Sequence, residues 1–258
     1  MSPRRYLIDE RPTDGLGRYL KYISAFREVD VTGLEELARG QVREGRPNPL
    51  EAIWYRALSA GRHDYSVYGA DEYIADAWHC WVGYSRGYLR FMRANLGKYF
   101  GGVRRVVDLG CGFGYTTRAL RELFPDAEVV GTQIEGTLQY EVATRLGAEY
   151  GFSVVGDIAS VGQVDLVFAS EYFEHIYRPI EHIAEIVDEI EPGRLVVANA
   201  FGTRSAGHFE SYRLDCELIS PVKASRMFND YLRARGYSSV VTGAWNNRPR
   251  LWAKEGGE

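Results

Sequence analysis

An apolar strand followed by a glycine-rich turn is the feature that most limits the folds open to this 258-residue chain. Residues 103–109 form a short apolar run, glycines follow at positions 110, 112 and 114, and residues 115–124 have helical spacing. This order points unpaired backbone N–H groups, and the positive end of the helix dipole, at the carboxyl end of the strand. Glycine suits such a turn because a ligand can approach backbone that carries no Cβ. The pattern therefore predicts a ligand-binding turn in an α/β sheet.

The spacing of these glycines favours one class of ligand over another. Dinucleotide sites use G-x-G-x-x-G, whereas this turn reads D-x-G-x-G-x-G from Asp108 to Gly114. The segment resembles the first motif of the class I (Rossmann-like) S-adenosylmethionine-dependent methyltransferases. The resemblance implies that Gly110, Cys111, Gly112 and Gly114 lie under the methionine part of the cofactor, with Asp108 near its ammonium group.

The same resemblance implies where the rest of the cofactor lies. A carboxylate at the end of the second strand receives the ribose hydroxyls in this family, but Gln133 stands at that position here, with Glu135 as the alternative. A neutral hydrogen bond contributes about 0.5–1.5 kcal/mol against about 1.5–3 kcal/mol for a charged one, so we expect weaker binding that survives. Asp157 and Ile158 match the segment that contacts the adenine, although an aspartate there also suits a turn cap. Ser170, where the fourth strand ends at the crevice, completes the predicted cofactor set.

Downstream of the turn, strand and helix patterns alternate, which is typical of an open parallel sheet. The predicted strands are residues 103–109, 128–132, 152–155, 164–169 and 195–200, and the predicted helices are 115–124, 137–150, 176–190 and 222–235. Residues 237–242 and 251–254 are predicted to form a terminal hairpin, and the polar segment 201–220 a structureless functional loop. We therefore expect an α/β fold with a mostly parallel, Rossmann-like methyltransferase sheet of seven strands, a C-terminal antiparallel hairpin and flanking helices.

The first hundred residues carry a different, helical pattern. Apolar residues three or four apart predict helices over 16–29, 32–43 and 50–58, and from 72 to about 99. The resemblance covers only residue 103 onward, so we predict that residues 1–100 are a helical extension that caps the substrate side, and residues 101–258 the cofactor-binding domain. Several aromatic residues of the extension could line the substrate or serve ordinary packing: Tyr65, Tyr68, Tyr73 and Trp78.

Acidic and imidazole groups follow the fourth strand. Glu171, Glu174 and His175 are spaced so that one helical turn would place them on one face. They could supply a general base, hold a divalent ion, or play only a structural part. E-x-x-E-H here resembles two metal-using groups, the quinone-biosynthesis O-methyltransferases and the small-RNA 3′-end 2′-O-methyltransferases. In the RNA group a further histidine follows the fifth strand, which makes His208 a possible fourth ligand. We expect His63, His79 and His182 to be surface or structural residues.

Composition bears on compartment and partners. The three cysteines form no CxxC pair, which argues against a disulfide framework or a zinc site. There is no apolar run long enough to span a membrane and no signal-peptide pattern, so we expect a cytoplasmic protein without a membrane partner. The net charge of −4 gives no global positive field for nucleic acid, although a local basic groove stays open as an alternative.

Together these features predict an S-adenosylmethionine-dependent methyltransferase that acts on an oxygen or nitrogen of a small molecule, with Glu174 or His175 as the base. A divalent metal ion is a further cofactor if Glu171, Glu174 and His175 hold a metal rather than supply a base. Two alternatives remain at this point. One is a metal-assisted RNA or nucleotide 2′-O-methyltransferase, and the other is a non-catalytic cofactor-binding or scaffold protein, suggested by Gln133 in place of the acid.

Overall fold

A seven-stranded sheet is the centre of the computed structural model, which describes residues 49–74, 86–240 and 249–254. The strands in these ranges are β1 (Arg105–Leu109), β2 (Glu128–Thr132), β3 (Ser153–Val155), β4 (Leu166–Ser170), β5 (Arg194–Ala198), β6 (Tyr212–Leu214), β7 (Glu217–Ile219), β8 (Tyr237–Val240) and β9 (Arg250–Lys254). The sheet has the order β3-β2-β1-β4-β5-β9-β8. Strands β1 to β5 pair in parallel, and β9 runs antiparallel between β5 and β8. The predicted fold class is confirmed.

Helices pack on both faces of this sheet. The described helices are α1 (Pro49–Ser59), α2 (Arg86–Leu96), α3 (Tyr115–Leu123), α4 (Leu138–Tyr150), α5 (Pro179–Ile190) and α6 (Pro221–Ala234). The helices predicted at 50–58, 115–124, 137–150 and 222–235 are confirmed within one or two residues at each end. Helix α5 begins three residues later than predicted, with Pro179 in its first turn, where the missing N–H costs nothing. Within the described ranges, every helix is too short or too polar to cross a bilayer.

Alternate residues of the parallel strands bury opposite faces of the sheet. Val106 and Phe168 pack with α2, α3 and α4, whereas Val107 and Val167 pack with α5 and α6. Burial on both faces explains why the fourth strand appears in the sequence as a continuous apolar run. Strands β1 and β4 are neighbours, and Leu109 is in register with Ala169. The glycine turn after β1 and the acidic segment after β4 therefore leave the same edge of the sheet side by side.

Two sequence-based predictions differ from the structure. Residues 201–220 are not structureless, because β6 and β7 form a hairpin there. Tyr212 and Ile219 anchor that hairpin, at 0% and 2% exposed, but the polar residues around them hide any apolar alternation. The helix predicted to run to about residue 99 ends at Leu96, and Gly97–Tyr99 forms a separate 3₁₀ turn. The helices predicted at 16–29 and 32–43 lie outside the described residues, as do Trp78 and His79.

The described part of the N-terminal region packs directly against the sheet domain. Helix α1 and the 3₁₀ turn Tyr65–Gly69 share an apolar cluster with residues of the 201–224 segment, among them Phe209 and Tyr212. Ile74 and α2 join the apolar cluster on one face of the main sheet. These contacts bring residues of the N-terminal region to the edge of the sheet where β1 and β4 end. The division into a cap and a cofactor domain stays a prediction.

Candidate active site

The glycine turn is tied to the neighbouring strand by its backbone. The N–H of Gly110 donates to Oγ1 of Thr132 at 3.1 Å, and the N–H of Cys111 donates to the carbonyl of Thr132 at 2.9 Å. Gly112 has a φ of 55°, and a Cβ built on it would meet no atom within 4 Å. The turn thus leaves its backbone uncovered at Gly112, shortly before α3 begins.

The side chains of Asp108 and Cys111 turn away from that opening. Asp108 is 2% exposed, and its Oδ2 accepts a hydrogen bond from Oγ1 of Thr117 at 2.7 Å. Burial raises the pKa of Asp108 to about 7, against the opposing effect of that hydrogen bond. The Sγ of Cys111 lies against Gly131 of β2, and burial raises the pKa of its thiol. Cys111 therefore serves the turn through its backbone, and contact between Asp108 and a cofactor ammonium stays a prediction.

The other predicted cofactor residues stand at neighbouring strand ends. Gln133 follows β2, and its Oε1 accepts a hydrogen bond from the N–H of Ile134 at 2.8 Å. Ile134 is 71% exposed, which leaves a large apolar side chain uncovered after β2. Oδ1 of Asp157 caps the 3₁₀ turn Ile158–Ser160, as the sequence analysis considered. Only this one of its two carboxylate oxygens makes the cap. Ser170 is the last residue of β4 and is partly exposed.

Glu171 and Glu174, which follow β4, meet His208, which comes after β5. We call these three residues the acid–histidine cluster. One ligating atom from each of these residues lies within 4.8 Å of the others. Glu171, Glu174 and His175 do not form the single helical turn that the sequence analysis considered, because Glu171 has a left-handed φ of 51° and precedes the 3₁₀ turn Phe173–His175. The backbone bend at Glu171 and the loop that carries His208 bring the groups together instead.

Glu174 is the buried member of the cluster, at 0% exposed. Its Oε1 accepts a hydrogen bond from the N–H of Ala200 at 2.7 Å, whereas its Oε2 has no hydrogen-bond donor among the described residues. Burial, and then the charge of Glu171, raise the pKa of Glu174 to about 8. Burial and the neighbouring carboxyl group both disfavour the ionised form of Glu174.

The two histidines near the cluster are held in different ways. Nδ1 of His208 faces the carbonyl of Thr203 at 2.8 Å, and since a carbonyl only accepts, Nδ1 carries the proton and Nε2 carries the lone pair. His175 is instead bonded through Nδ1 to the hydroxyl of Tyr68 at 2.8 Å, and its ring meets that of His208 edge-on at 4.5 Å. Burial lowers the pKa of His175 to about 3, so this ring is neutral.

The sequence does not predict the roles of several residues at this site. In the sequence, Tyr68 stands out only as a residue that could line the substrate or serve ordinary packing. Its hydroxyl bonds to His175, and both side chains occupy the space where a Cβ of Gly207 would lie. Tyr172 was not considered, although it lies between the two glutamates. Trp54 donates its indole N–H to the carbonyl of His208 at 2.7 Å. The one signal in the sequence was the glycine immediately before His208, which indicates a close approach of side chains.

A family model described as a methyltransferase domain matches residues 107–198. Among curated proteins, the chain is similar to trans-aconitate 2-methyltransferase of Rhodopseudomonas palustris (31% identity, covering 35% of this chain and 36% of the relative). It is also similar to malonyl-[acyl-carrier protein] O-methyltransferase of Methylococcus capsulatus (28% identity, 53% of this chain and 52% of the relative). The chain thus spans about a third to a half of the length of these curated relatives.

Among solved structures, the sugar N-methyltransferase KedS8 of Streptoalloteichus sp. matches with a TM-score of 0.46 and 16% identity, over 66% of this chain and 86% of that one. The family match begins within β1 and ends at the last residue of β5. It therefore contains both the glycine turn and the acidic segment after β4. Residues 107–198 thus match a methyltransferase domain, and the sheet order is that of a Rossmann-like methyltransferase fold.

Proposed function

We propose that this protein transfers the methyl group of S-adenosylmethionine to an oxygen or nitrogen of a small-molecule acceptor. The observation that carries the proposal is the side-by-side position of an open glycine turn after β1 and a buried acid–histidine cluster after β4. Ligands of open α/β sheets bind at the carboxyl ends of the strands, where these two features lie.

The residues around the turn fit this cofactor. The space above Gly112 would accept the methionine part against bare backbone N–H groups at the start of α3. The exposed side chain of Ile134 offers an apolar surface of the kind that an adenine ring covers. Because Oε1 of Gln133 already accepts a hydrogen bond, its NH₂ group is the part free to donate to a ribose hydroxyl. Asp157 retains one carboxylate oxygen for the adenine amine.

When bound, the sulfonium centre supplies an electrophilic methyl group: a nucleophilic oxygen or nitrogen would bond to the methyl carbon in line as the carbon–sulfur bond breaks, with the demethylated thioether as the leaving group. The protein contributes alignment and exclusion of water. Glu171 and Glu174 serve the acceptor's proton in this scheme, since Glu171 is partly exposed, Glu174 is buried and both belong to one cluster. His175, which burial holds neutral and Tyr68 holds in place, orients the cluster in this scheme.

The charge of the cluster narrows the acceptor class. Two carboxyl groups at the acceptor side repel a carboxylate, whereas they attract an amine and accept a hydrogen bond from a hydroxyl. We therefore expect hydroxyl and amine compounds to be better methyl acceptors than carboxylic acids. The two relatives are named for trans-aconitate and for malonyl-[acyl-carrier protein], so these two compounds are the natural comparison in a screen.

The first test is a screen of small hydroxyl, amine and carboxylate compounds with S-adenosylmethionine labelled in its methyl group. Once an acceptor is found, Glu174→Gln should lower kcat/KM about 10²-fold or more, the scale of a lost general base, while cofactor affinity stays within about twofold. Glu217→Gln, which changes an exposed carboxylate of β7, is the matched control. A wild-type protein that binds no S-adenosylmethionine in calorimetry would rule out the proposal.

A divalent cation held by the acid–histidine cluster is a second candidate for the acceptor side. Two observations favour it: the 4.8 Å grouping of Glu171, Glu174 and His208, and the buried Oε2 of Glu174 without a donor. The bond from Nδ1 of His208 to the carbonyl of Thr203 fixes the ring, as outer-shell partners of metal-bound histidines do. A hard cation there would supply a positive charge that orients the acceptor oxygen and lowers its pKa.

Calorimetric titration of the cofactor-free protein with Mg²⁺ and with Mn²⁺ tests this second candidate. We expect binding heat in the wild type and its loss in Glu174→Gln, with Glu217→Gln unchanged. Methylation that persists at full rate in excess chelator, together with the absence of binding heat, would exclude the cation and leave the carboxyl pair as the base.

A further inference from the structure

One residue of the acidic segment after β4 also contacts the glycine turn after β1. Tyr172 lies in sequence between Glu171 and Glu174, the two carboxyl groups of the acceptor side. Its ring lies against Gly110 of the glycine turn, on the cofactor side. The residue is therefore a physical bridge between the turn after β1 and the acidic segment after β4.

The contact with Gly110 is close enough to exclude a side chain at that position. A Cβ built on Gly110 would overlap Cδ2 of the Tyr172 ring and lie 2.8 Å from its Cε2. Gly110 also has a φ of 62°, so an L side chain would be strained there for a second reason. A displacement of the Tyr172 ring would thus be transmitted directly to the backbone of the turn.

The hydroxyl of Tyr172 is held from the opposite side by helix α5. It lies 2.8 Å from Nε2 of His182, and Nδ1 of His182 lies 3.5 Å from a carboxylate oxygen of Glu185, one turn further along the helix. Because a carboxylate only accepts, Nδ1 carries the ring proton, and Nε2 then accepts the proton of the Tyr172 hydroxyl. Burial lowers the pKa of His182, although Glu185 opposes this effect. Because its pKa is lowered, the ring is in this neutral form at pH 8.

We propose that Tyr172, His182 and Glu185 form a positioning relay for the methyl donor. The relay fixes the Tyr172 ring against Gly110 and so sets the place of the glycine turn relative to Glu171 and Glu174. None of its three members needs to touch the reacting atoms. The inference rests on the proposed function, because it assigns the turn to S-adenosylmethionine.

The size of the expected effect follows from the chemistry of the bond. A neutral hydrogen bond contributes about 0.5–1.5 kcal/mol, which corresponds to about a 2- to 10-fold change in affinity. The ring of Tyr172 packs in the apolar cluster under α5 and would keep that packing as phenylalanine. Tyr172→Phe therefore removes the relay while it preserves the bulk against Gly110.

Calorimetry with S-adenosylmethionine and with its demethylated product at pH 8 tests the relay in the full chain. We expect Tyr172→Phe and His182→Leu each to weaken binding about 2- to 10-fold, and the double variant to bind no more weakly than the worse single one. His182→Gln should bind within about twofold of wild type, because a glutamine amide oxygen can accept the same hydrogen bond. Tyr231→Phe is the control, since its buried hydroxyl has no hydrogen-bond partner among the described residues.

Urea unfolding of each variant separates positioning from loss of fold. A relay predicts that His182→Gln restores affinity whether or not it restores the stability lost in His182→Leu. Equal affinity in wild type, Tyr172→Phe and His182→Leu would overturn the relay and leave the proposed function intact, as would strictly additive effects in the double variant. A wild-type protein that binds neither compound would overturn the proposed function, and the relay with it.

Discussion

At the scale of single residues, the glycine before His208 shows how closely the acceptor side is packed. Gly207 has a φ of 86°, and a Cβ built on it would overlap the hydroxyl of Tyr68 and lie 2.6 Å from Nδ1 of His175. The Tyr68–His175 hydrogen bond therefore exists only because position 207 carries no side chain. Tyr68 comes from the N-terminal region, so this contact also joins that region to the segment after β4.

We predict that Gly207→Ala lowers the free energy of unfolding by about 2–4 kcal/mol, because a strained φ costs about 1–3 kcal/mol and the overlap adds to it. The matched control is Gly202→Ala, where φ is 83° but the new Cβ would make an ordinary 3.5 Å contact with Pro221. Urea unfolding of both variants measures the difference. Equal losses at the two positions would show that the backbone strain alone matters and that Tyr68 and His175 are not crowded.

Asp108 gives the cofactor-free protein a pH dependence of known sign. Its pKa is about 7 in the folded protein and near 3.8 in an unfolded chain, so the folded state binds more protons between these values. The contribution of Asp108 to stability is therefore fully present below pH 3.8 and is lost as the pH rises through about 7. Asparagine at this position does not titrate.

The prediction is that the unfolding free energy of wild type, minus that of Asp108→Asn, falls as the pH is raised from about 5 to about 8. Urea titrations of the two proteins at each pH, without cofactor, give this difference, and other titrating groups cancel in it. A difference that is flat or that rises over this range would mean that the carboxyl is ionised in the folded protein and has a charged partner.

At the scale of elements, the start of α4 controls the loop that carries Gln133 and Ile134. Thr137 is the N-cap of that helix: its Oγ1 accepts a hydrogen bond from the N–H of Tyr140 at 3.2 Å and donates to the carbonyl of Ile134 at 2.7 Å. One hydroxyl thus begins the helix and closes the loop. This closure fixes the backbone that carries the exposed Ile134 side chain.

We predict that Thr137→Ala costs about 1 kcal/mol of stability, the usual cost of losing an N-cap, and also weakens S-adenosylmethionine binding. Thr137→Ser keeps the hydroxyl and should restore both properties. Thermal unfolding and calorimetry measure the two effects on the same samples. If stability falls while affinity is unchanged, the loop of Gln133 does not contact the cofactor and its predicted role is wrong.

At the scale of the whole molecule, Trp54 ties the N-terminal region to the acid–histidine cluster. Its side chain is 0% exposed and its indole N–H donates to the backbone carbonyl of His208. Tyr68 makes a second tie through His175, and Gln139 of α4 donates to the carbonyl of Tyr68 at 2.6 Å. The described N-terminal residues therefore help to position the loop that carries His208.

For Trp54→Phe we predict a loss of about 1–3 kcal/mol, because the carbonyl of His208 is left buried without its donor. Hydrogen exchange should show faster exchange in the 201–210 segment and unchanged exchange in β4, which serves as the internal reference. Faster exchange throughout the chain would mean that the substitution lowers global stability only. Unchanged exchange in both segments would mean that the N-terminal region does not hold the loop.

Local sequence patterns predicted most of the fold, and the cofactor residues that they indicate stay a prediction. The glycine turn, the apolar parallel strands and the C-terminal hairpin each have a period or spacing of their own, and the residues after β1, β2 and β4 follow from the strand ends. The hairpin β6–β7 was missed because only Tyr212 and Ile219 anchor it, and two buried residues in a polar segment have no recognisable period.

The acceptor side depended on tertiary structure, because its members come from separate parts of the chain. Glu171 meets Glu174 through a left-handed bend rather than a helical turn, His208 arrives on a loop, and Tyr68 arrives from the N-terminal region. Burial, together with the charge of Glu171, raises the pKa of Glu174, and burial lowers that of His175. The sequence by itself determined the sheet and its turn. Only the packing of distant segments decided which polar groups meet, since close approach and desolvation leave no periodic trace in a sequence.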